Sequence, residues 1–216
     1  MLKLVKDGNE GLNVLKIDAS ARRTGSISRH LTNHIVEKLA RDEAINSLTT
    51  RDLADGLPLL DENWIGANFT PSDERGAEQL ATLALSDELV DELEAADVIV
   101  IGLPMYNFST PASFKAWIDL VARVGRTFQY TENGPEGQLK NKRVIISIST
   151  GGTPLGSGMD FSSAYVRFVF SFMGIEDVTF IHADKVGQTQ DQALESNQGS
   201  ISSAIGKILS QTQAVA

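Results

Sequence analysis

Asp97-Val98-Ile99-Val100-Ile101-Gly102-Leu103 is an almost unbroken apolar run, and it passes directly into Pro104-Met105-Tyr106-Asn107-Phe108. A run of this kind reads as a strand buried on both faces, which is the situation of a parallel sheet. Open parallel sheets bind ligands beyond the carboxyl ends of their strands, and the Pro-aromatic turn stands at that end. Met105, Tyr106 and Phe108 form a surface suited to a flat, partly apolar ring. The Asn107 amide can both donate and accept hydrogen bonds. A core turn with buried aromatics reads the same way, so other loops have to agree.

Outward from this run, strands and helices alternate. Residues 12–18 form a first β-rich apolar run. Residues 26–41 carry Ile27, Leu31, Ile35 and Leu39 at intervals of four, the spacing of a helix. Residues 45–53 read as a weaker second strand, and residues 57–70 as irregular, with Pro58, Gly66 and the lone aromatics Trp64 and Phe69. Thr70-Pro71-Ser72-Asp73 supplies helix start signals and opens a helix reaching about residue 96. Strand three is 98–103. Residues 112–124 are helical, with Gly125 as the stop. Residues 127–131 alternate as a short extended segment, and 132–137 is a dense turn signal. Strand four is 142–149, followed by an aromatic-rich helix at 161–174, a fifth strand at 178–183 and a final helix at 191–209. Five strands with helical crossovers predict an α/β fold: a five-stranded parallel sheet with helices on both faces, one domain over residues 1–216.

The chain has 216 residues, enough for one domain with a sizeable core. Its 19 Lys and Arg against 28 Asp and Glu leave a net charge of −9, which opposes nonspecific nucleic-acid binding. There is no cysteine, so a disulfide scaffold, a thiolate metal site and a Cys nucleophile are excluded. Residues 1–11 carry Lys3, Lys6, Asp7 and Glu10 and lack the apolar core of a signal peptide. No apolar stretch approaches the ~20 residues of a membrane span. The expectation is a cytoplasmic protein without membrane partners.

Three loops carry chemistry. The first, after strand one, is Ser20-Ala21-Arg22-Arg23-Thr24-Gly25-Ser26-Ile27-Ser28-Arg29. It has neither a GxGxxG fingerprint nor a Walker loop. Its hydroxyls, at a helix N-terminus with three arginines nearby, suit a phosphate, though Ser26 alone reads equally as a cap. The second is Pro104 to Phe108, with Ser109-Thr110-Pro111 capping the next helix. The third is Ser149-Thr150-Gly151-Gly152, where adjacent glycines let backbone approach a ligand, or simply form a flexible turn. All three follow strands of one parallel sheet and so lie at one edge.

These residues carry a resemblance. The chain resembles the FMN-dependent NADH-azoreductases, which are also NADH:quinone oxidoreductases with a flavodoxin-like fold. The resemblance covers nearly the whole chain. It is most specific at Pro104-Met105-Tyr106-Asn107-Phe108, and continues through Leu120-Val121-Ala122-Arg123 and the stretch from Phe128-Gln129-Tyr130 to Pro135-Glu136-Gly137; Leu85-Ser86-Asp87-Glu88-Leu89 also fits. It implies that Ser20 and Ser26-Ile27-Ser28 hold the FMN phosphate. It implies that Met105, Tyr106, Asn107 and Phe108 border the isoalloxazine, and that Ser149, Thr150, Gly151 and Gly152 reach its pyrimidine edge. It further implies a homodimer with the site at the subunit interface, NADH or NADPH as co-substrate, and quinones or azo compounds as acceptors in a two-step relay without a protein nucleophile. The chain departs from the family at Thr150, where an Arg is usual, and at residues 155–161, both near where an acceptor enters.

Other features are weighed against this. His30 and His34 stand at i,i+4, a spacing that suits a metal pair, but no HExxH-type motif accompanies them, so no metal is expected. His182 reads as structural. Trp64, Phe161, Phe168, Phe170 and Phe172 read mostly as core or interface, and Tyr130 as packing or as a visitor to a neighbouring subunit's site. The alternative is a noncatalytic flavodoxin-like electron carrier. Residues 57–69 and 131–137 look like pocket and interface additions, which favour an enzyme.

Overall fold

The computed structural model describes residues 11–42 and 44–212. The reading of the N-terminal segment as no signal peptide therefore lies, apart from Gly11, outside the described residues.

The chain runs β1 (Leu12–Asp18), α1 (Ile27–Arg41), β2 (Ile45–Asp52), a short 3₁₀ turn (Leu53–Asp55), α2 (Glu62–Phe69), α3 (Ala77–Ala95), β3 (Val98–Pro104) and α4 (Ala112–Val121). It continues through β4 (Phe128–Thr131), β5 (Gly134–Gly137), β6 (Arg143–Ser149), α5 (Ser163–Phe172), β7 (Asp177–Ala183) and α6 (Gln190–Thr212). Five strands form one sheet in the order β2-β1-β3-β6-β7, all parallel. This is the flavodoxin-like order, with its reversal point between β1 and β3.

Every residue of β3 is buried, because helices cover both faces. Ile99, Ile101 and Leu103 join the cluster beneath α2 to α5, where Trp64, Leu89, Trp117 and Phe170 pack. Val98 and Val100 face the cluster beneath α1 and α6, with Leu31, Ile35, Ile201 and Ile205. The third residue on that side is Gly102. A Cβ there would lie 3.0 Å from Asp18 Oδ1 and 3.2 Å from the Ser28 carbonyl oxygen. Glycine thus lets the first turn of α1 press onto the sheet beside the strand ends.

The structure corrects several sequence expectations. Residues 57–70 are not irregular throughout, since α2 occupies Glu62–Phe69. The Asp61 carboxylate accepts from the Trp64 N–H at 2.8 Å and starts that helix, while Trp64 and Ala67 bury one face. The long helix does not open at Thr70. The Arg75 guanidinium donates to the carbonyls of Ala67, Asn68 and Thr70 and turns the chain after α2. α3 starts only at Ala77, with the Gly76 N–H given to Gln79 Oε1 at 3.1 Å. α4 stops at Val121, short of residue 124. There the Thr127 hydroxyl donates to the Val121 carbonyl and accepts from the Arg123 N–H, pulling the chain out of helix. Residues 134–137 are not turn but strand, pairing antiparallel with β4. α5 starts at Ser163, two residues later than read, because Asp160 caps it.

Candidate functional site

The loop after β1 arrives at the carboxyl edge of the sheet and turns into α1. The Ser26 hydroxyl caps α1 by accepting from the Arg29 N–H at 3.4 Å, and lies 3.2 Å from the Ser28 hydroxyl. Both side chains are buried, as is Ser20. The N–H groups of Ile27 and Ser28 find no acceptor among the described residues. Free N–H groups at a helix N-terminus beside buried hydroxyls make an anion cradle. Ile27 contributes its backbone there, while its side chain packs toward the α1–α6 cluster.

The three arginines of this loop do different work. Arg29 donates to both Asp52 oxygens, at 2.9 and 2.6 Å, and to the Ser20 carbonyl at 2.7 Å, and lies 3.4 Å from Asp18. Burial alone would raise the Asp52 carboxyl, but the Arg29 guanidinium and the Ala54 N–H outweigh it and hold the group below the usual carboxylate range. Arg29 is thereby consumed in holding the loop to β1 and β2. Arg23 pairs with Asp52 and Asp55. Of the three, the Arg22 side chain alone has no partner among the described residues and is able to face an anion.

The turn after β3 is tight. Tyr106 and Ser109 exchange two backbone hydrogen bonds, at 3.0 and 3.1 Å. Asn107 and Phe108 between them take φ of 49° and 69°, the left-handed region that side chains normally avoid. Such strain collects where side chains must be aimed for function. Here it leaves Tyr106, Asn107 and Phe108 exposed and Met105 half-buried. The Tyr106 hydroxyl lies 3.4 Å from the Ser20 hydroxyl and accepts from the Ala21 N–H at 3.3 Å. Loops one and two therefore touch.

Loops two and three also touch. The Met105 N–H donates to the Ser149 carbonyl at 2.7 Å, and Pro104 is in register with Ser149. Beyond Ser149, the Thr150 N–H donates to the Ala183 carbonyl at 3.0 Å. The Thr150 hydroxyl donates to the Thr153 carbonyl at 2.8 Å and accepts from the Gly152 N–H at 3.2 Å. Of the two glycine N–H groups, that of Gly151 has no acceptor among the described residues. Gly152 holds φ of 114°, and a Cβ on it would lie 2.5 Å from Val186 Cγ2. Only glycine fits there.

All twelve residues singled out in the sequence thus line one edge, from the cradle at Ser20, Ser26, Ile27 and Ser28, across Met105 to Phe108, to Ser149 through Gly152. Two further contacts bound this edge, the first at residues already read as lying near the acceptor's entry. The Phe161 N–H donates to the Phe108 carbonyl at 3.0 Å, which brings residues 155–161 against the aromatic turn. The Gln190 amide donates to the Ser26 carbonyl at 3.1 Å and ties the start of α6 to the cradle. Neither pairing leaves a local pattern in the sequence.

The cradle and its wall fit an FMN-sized group. Free backbone donors and hydroxyls meet the demands of a phosphate, the Met105–Phe108 turn those of a flat ring, and the Gly151 N–H those of a polar ring edge. His30 and His34 do not assemble a metal site: no group of three or more His, Asp or Glu side chains among the described residues is placed to hold an ion. No helix among the described residues is long and apolar enough to cross a membrane.

Comparison with known proteins bears on the fold and the family. The profile of the Flavodoxin-like fold family matches residues 12–205. An FMN-dependent NADH:quinone oxidoreductase 1 of Jannaschia sp. (strain CCS1) is 53% identical over 189 residues, 88% of this chain and 96% of that protein. Its namesake from Colwellia psychrerythraea (strain 34H / ATCC BAA-681) is 54% identical over 183 residues, 85% of this chain and 95% of the relative. Among solved structures, an FMN-dependent NADH-azoreductase from Bacillus anthracis str. Ames Ancestor in complex with FMN superposes with a TM-score of 0.77. It is 24% identical and covers 91% of this chain and 99% of that one, a likeness that speaks for the fold. The chain belongs to the flavodoxin-like family of the FMN-dependent NADH:quinone oxidoreductases.

Proposed function

We propose that this chain is a cytoplasmic, homodimeric FMN-dependent oxidoreductase. It takes two electrons from NADH or NADPH and delivers them to a quinone, or in two successive rounds to an azo bond, which is cleaved. The observation that carries this reading is the continuity of the three loops, joined by Tyr106 to Ala21 and by Met105 to Ser149.

FMN, when bound, supplies the two-electron chemistry. The chain's own residues bind and orient. Ser20, Ser26, Ser28 and the Ile27 and Ser28 N–H groups hold the phosphate, with Arg22 adding charge from outside. Met105, Tyr106, Asn107 and Phe108 form the wall for the ring. The Gly151 N–H, beside Ser149, Thr150 and Gly152, would offer a donor to the polar edge of the ring. Nucleotide and acceptor use the open face in turn, the order called ping-pong. No side chain is assigned as acid, and water supplies the second proton that a hydroquinone needs.

Support for the dimer comes from an aromatic ladder. Tyr130 packs edge-on to Phe128, Phe128 lies 4.6 Å from Phe172, and Phe172 stacks at 6.3 Å with Phe168. Its ends, Tyr130 and Phe168, are 70% and 68% exposed. Such an apolar stripe is suited to a partner subunit.

A visible spectrum of the purified protein tests the flavin, with FMN expected to copurify or rebind. Anaerobic NADH is then expected to bleach it, and a benzoquinone to restore the colour. A colourless protein that rebinds no FMN overturns the reading. Bleaching without reoxidation by the quinone favours the electron carrier.

A further inference from the structure

A group of buried charges lies beneath the candidate phosphate cradle. Lys16 and Asp18 share one face of β1, and both are buried. The Lys16 ammonium donates to Asp18 Oδ2 at 2.7 Å and to no other group among the described residues. Arg29 lies 3.4 Å from the same oxygen. The other oxygen, Oδ1, accepts from the Thr32 hydroxyl at 3.0 Å. The Asp18 carboxylate therefore meets two cations through one oxygen and the body of α1 through the other.

Thr32 stands four residues after Ser28, one turn along the same face of α1, and both are fully buried. Asp18 thus grips the helix one turn behind a residue whose N–H and hydroxyl belong to the cradle. Gly102, the register partner of Asp18 on β3, makes room for this grip. A Cβ on Gly102 would lie 3.0 Å from Asp18 Oδ1, 3.2 Å from the Ser28 carbonyl oxygen and 3.3 Å from the Ser28 carbonyl carbon. A methyl group there would press on carboxylate and helix together, and one of them would have to give by a few tenths of an ångström. A buried carboxylate is costly unless it is paired and hydrogen-bonded, and this one is both. Apolar side chains of similar size would fill the layer at lower cost, so stability alone does not explain the pair.

We infer that Asp18 is a positioning residue for the flavin phosphate, acting through Thr32 and Arg29 in a place that Gly102 opens and Lys16 neutralises. The inference rests on the proposed function, which puts the phosphate in the cradle. Through Thr32 the carboxylate sets how deeply the first turns of α1 sit against the sheet, and with them the Ile27 and Ser28 N–H groups. Through Arg29, whose guanidinium donates to the Ser20 carbonyl at 2.7 Å, it braces the loop that carries the Ser20 hydroxyl. Lys16 and Arg29 offset its charge, so it holds the turn without repelling an anion above it. Met105 to Phe108 hydrogen-bond to none of these side chains. The network therefore bears on the phosphate and spares the ring.

The test compares FMN with riboflavin, which carries the same ring and no phosphate. Titration of flavin fluorescence gives both affinities, and circular dichroism melts establish that each variant is folded. Gly102→Ala and Thr32→Val are each expected to weaken FMN about tenfold and to leave riboflavin within about twofold, the effect of one lost or displaced hydrogen bond to a charged group. Thr32→Ser keeps the hydroxyl and is expected to keep the parent's ratio of the two affinities. Asp18→Asn leaves Lys16 buried without a counter-charge, so it is measured together with Lys16→Met, and the double variant is expected to show the same selective loss. Equal weakening of FMN and riboflavin assigns the network to general stability and overturns the positioning role. So does an FMN affinity that Thr32→Val and Gly102→Ala leave unaltered. A parent chain that binds neither flavin overturns the proposed function instead. The cradle is then read with inorganic phosphate at the Ile27 and Ser28 amide resonances. Shifts in the parent that weaken in Thr32→Val and persist in Thr32→Ser uphold the network, and their absence from the parent or equal size in all three overturns it.

Discussion

Tyr106 reaches furthest across the site. Its backbone closes the turn after β3, and its hydroxyl touches the loop after β1. One residue thus couples the aromatic turn to the hydroxyl loop after β1. Tyr106→Phe keeps the ring and removes only the hydroxyl, so packing is preserved. A net loss of about 0.5–1.5 kcal/mol is expected, or roughly a three- to tenfold weaker hold on FMN. Titration of flavin fluorescence measures it, and unchanged affinity counts against Tyr106 as the link. The sequence marked Tyr106 by its place after an apolar strand, because a strand end is locally legible. It did not show that the Gly152 N–H is taken by Thr150, or that Arg29 is spent on Asp52. Those partners lie beyond the reach of any periodic pattern.

At the scale of elements, the loop before α5 shows what helix starts require. Asp160 is buried and accepts from the N–H groups of Gly156, Ser162 and Ser163, at 2.7, 2.9 and 2.9 Å, and from the Ser163 hydroxyl. Burial alone would raise its carboxyl, but these donors outweigh burial and hold it below the usual range. The knot ties the 155–161 loop, which reaches Phe108, to the start of α5. Asp160→Ala is expected to cost about 0.5–2 kcal/mol near neutral pH, as for a lost helix cap. A carboxyl whose folded pKa is depressed contributes fully above its unfolded pKa, about 4, and loses that contribution as pH falls through the folded value. The gap between parent and variant is therefore expected to narrow from pH 7 to pH 3. Urea melts at both pH values check it, and a constant or widening gap contradicts it. The sequence placed this helix two residues early because the aromatic run of α5 is visible and the cap is not. α2 was missed for a related reason. Gly66 and Pro58 look like loop signals, and the few residues it buries are too sparse to show a period.

On the scale of the whole molecule, the proposed function assigns an occupant to each of two surfaces. In the proposed function the open edge of the sheet takes flavin and substrates, and the ladder from Tyr130 to Phe168 takes a second copy. Phe168→Glu places a charge at the exposed end of that ladder, where burial against a partner would be costly. Light scattering coupled to size exclusion is expected to show a dimer for the parent chain and a monomer for the variant. A parent monomer, or a variant dimer of equal affinity, contradicts the proposed assembly.

The sheet, its parallel strands and the three loops at its edge were written in the sequence. A strand buried on both faces has to be apolar throughout, and the chain has to turn where that run ends. Helix starts, the second half of the hairpin and α2 were decided by which side chain caps or pairs with which neighbour, geometry that leaves no apolar period. The accounting of the site, which N–H groups stay free and which arginine faces outward, was decided by folding as well. Apolar periodicity is a local property that survives in a string of letters. Hydrogen-bond satisfaction depends on what folding brings alongside each group, and only the tertiary structure could decide it.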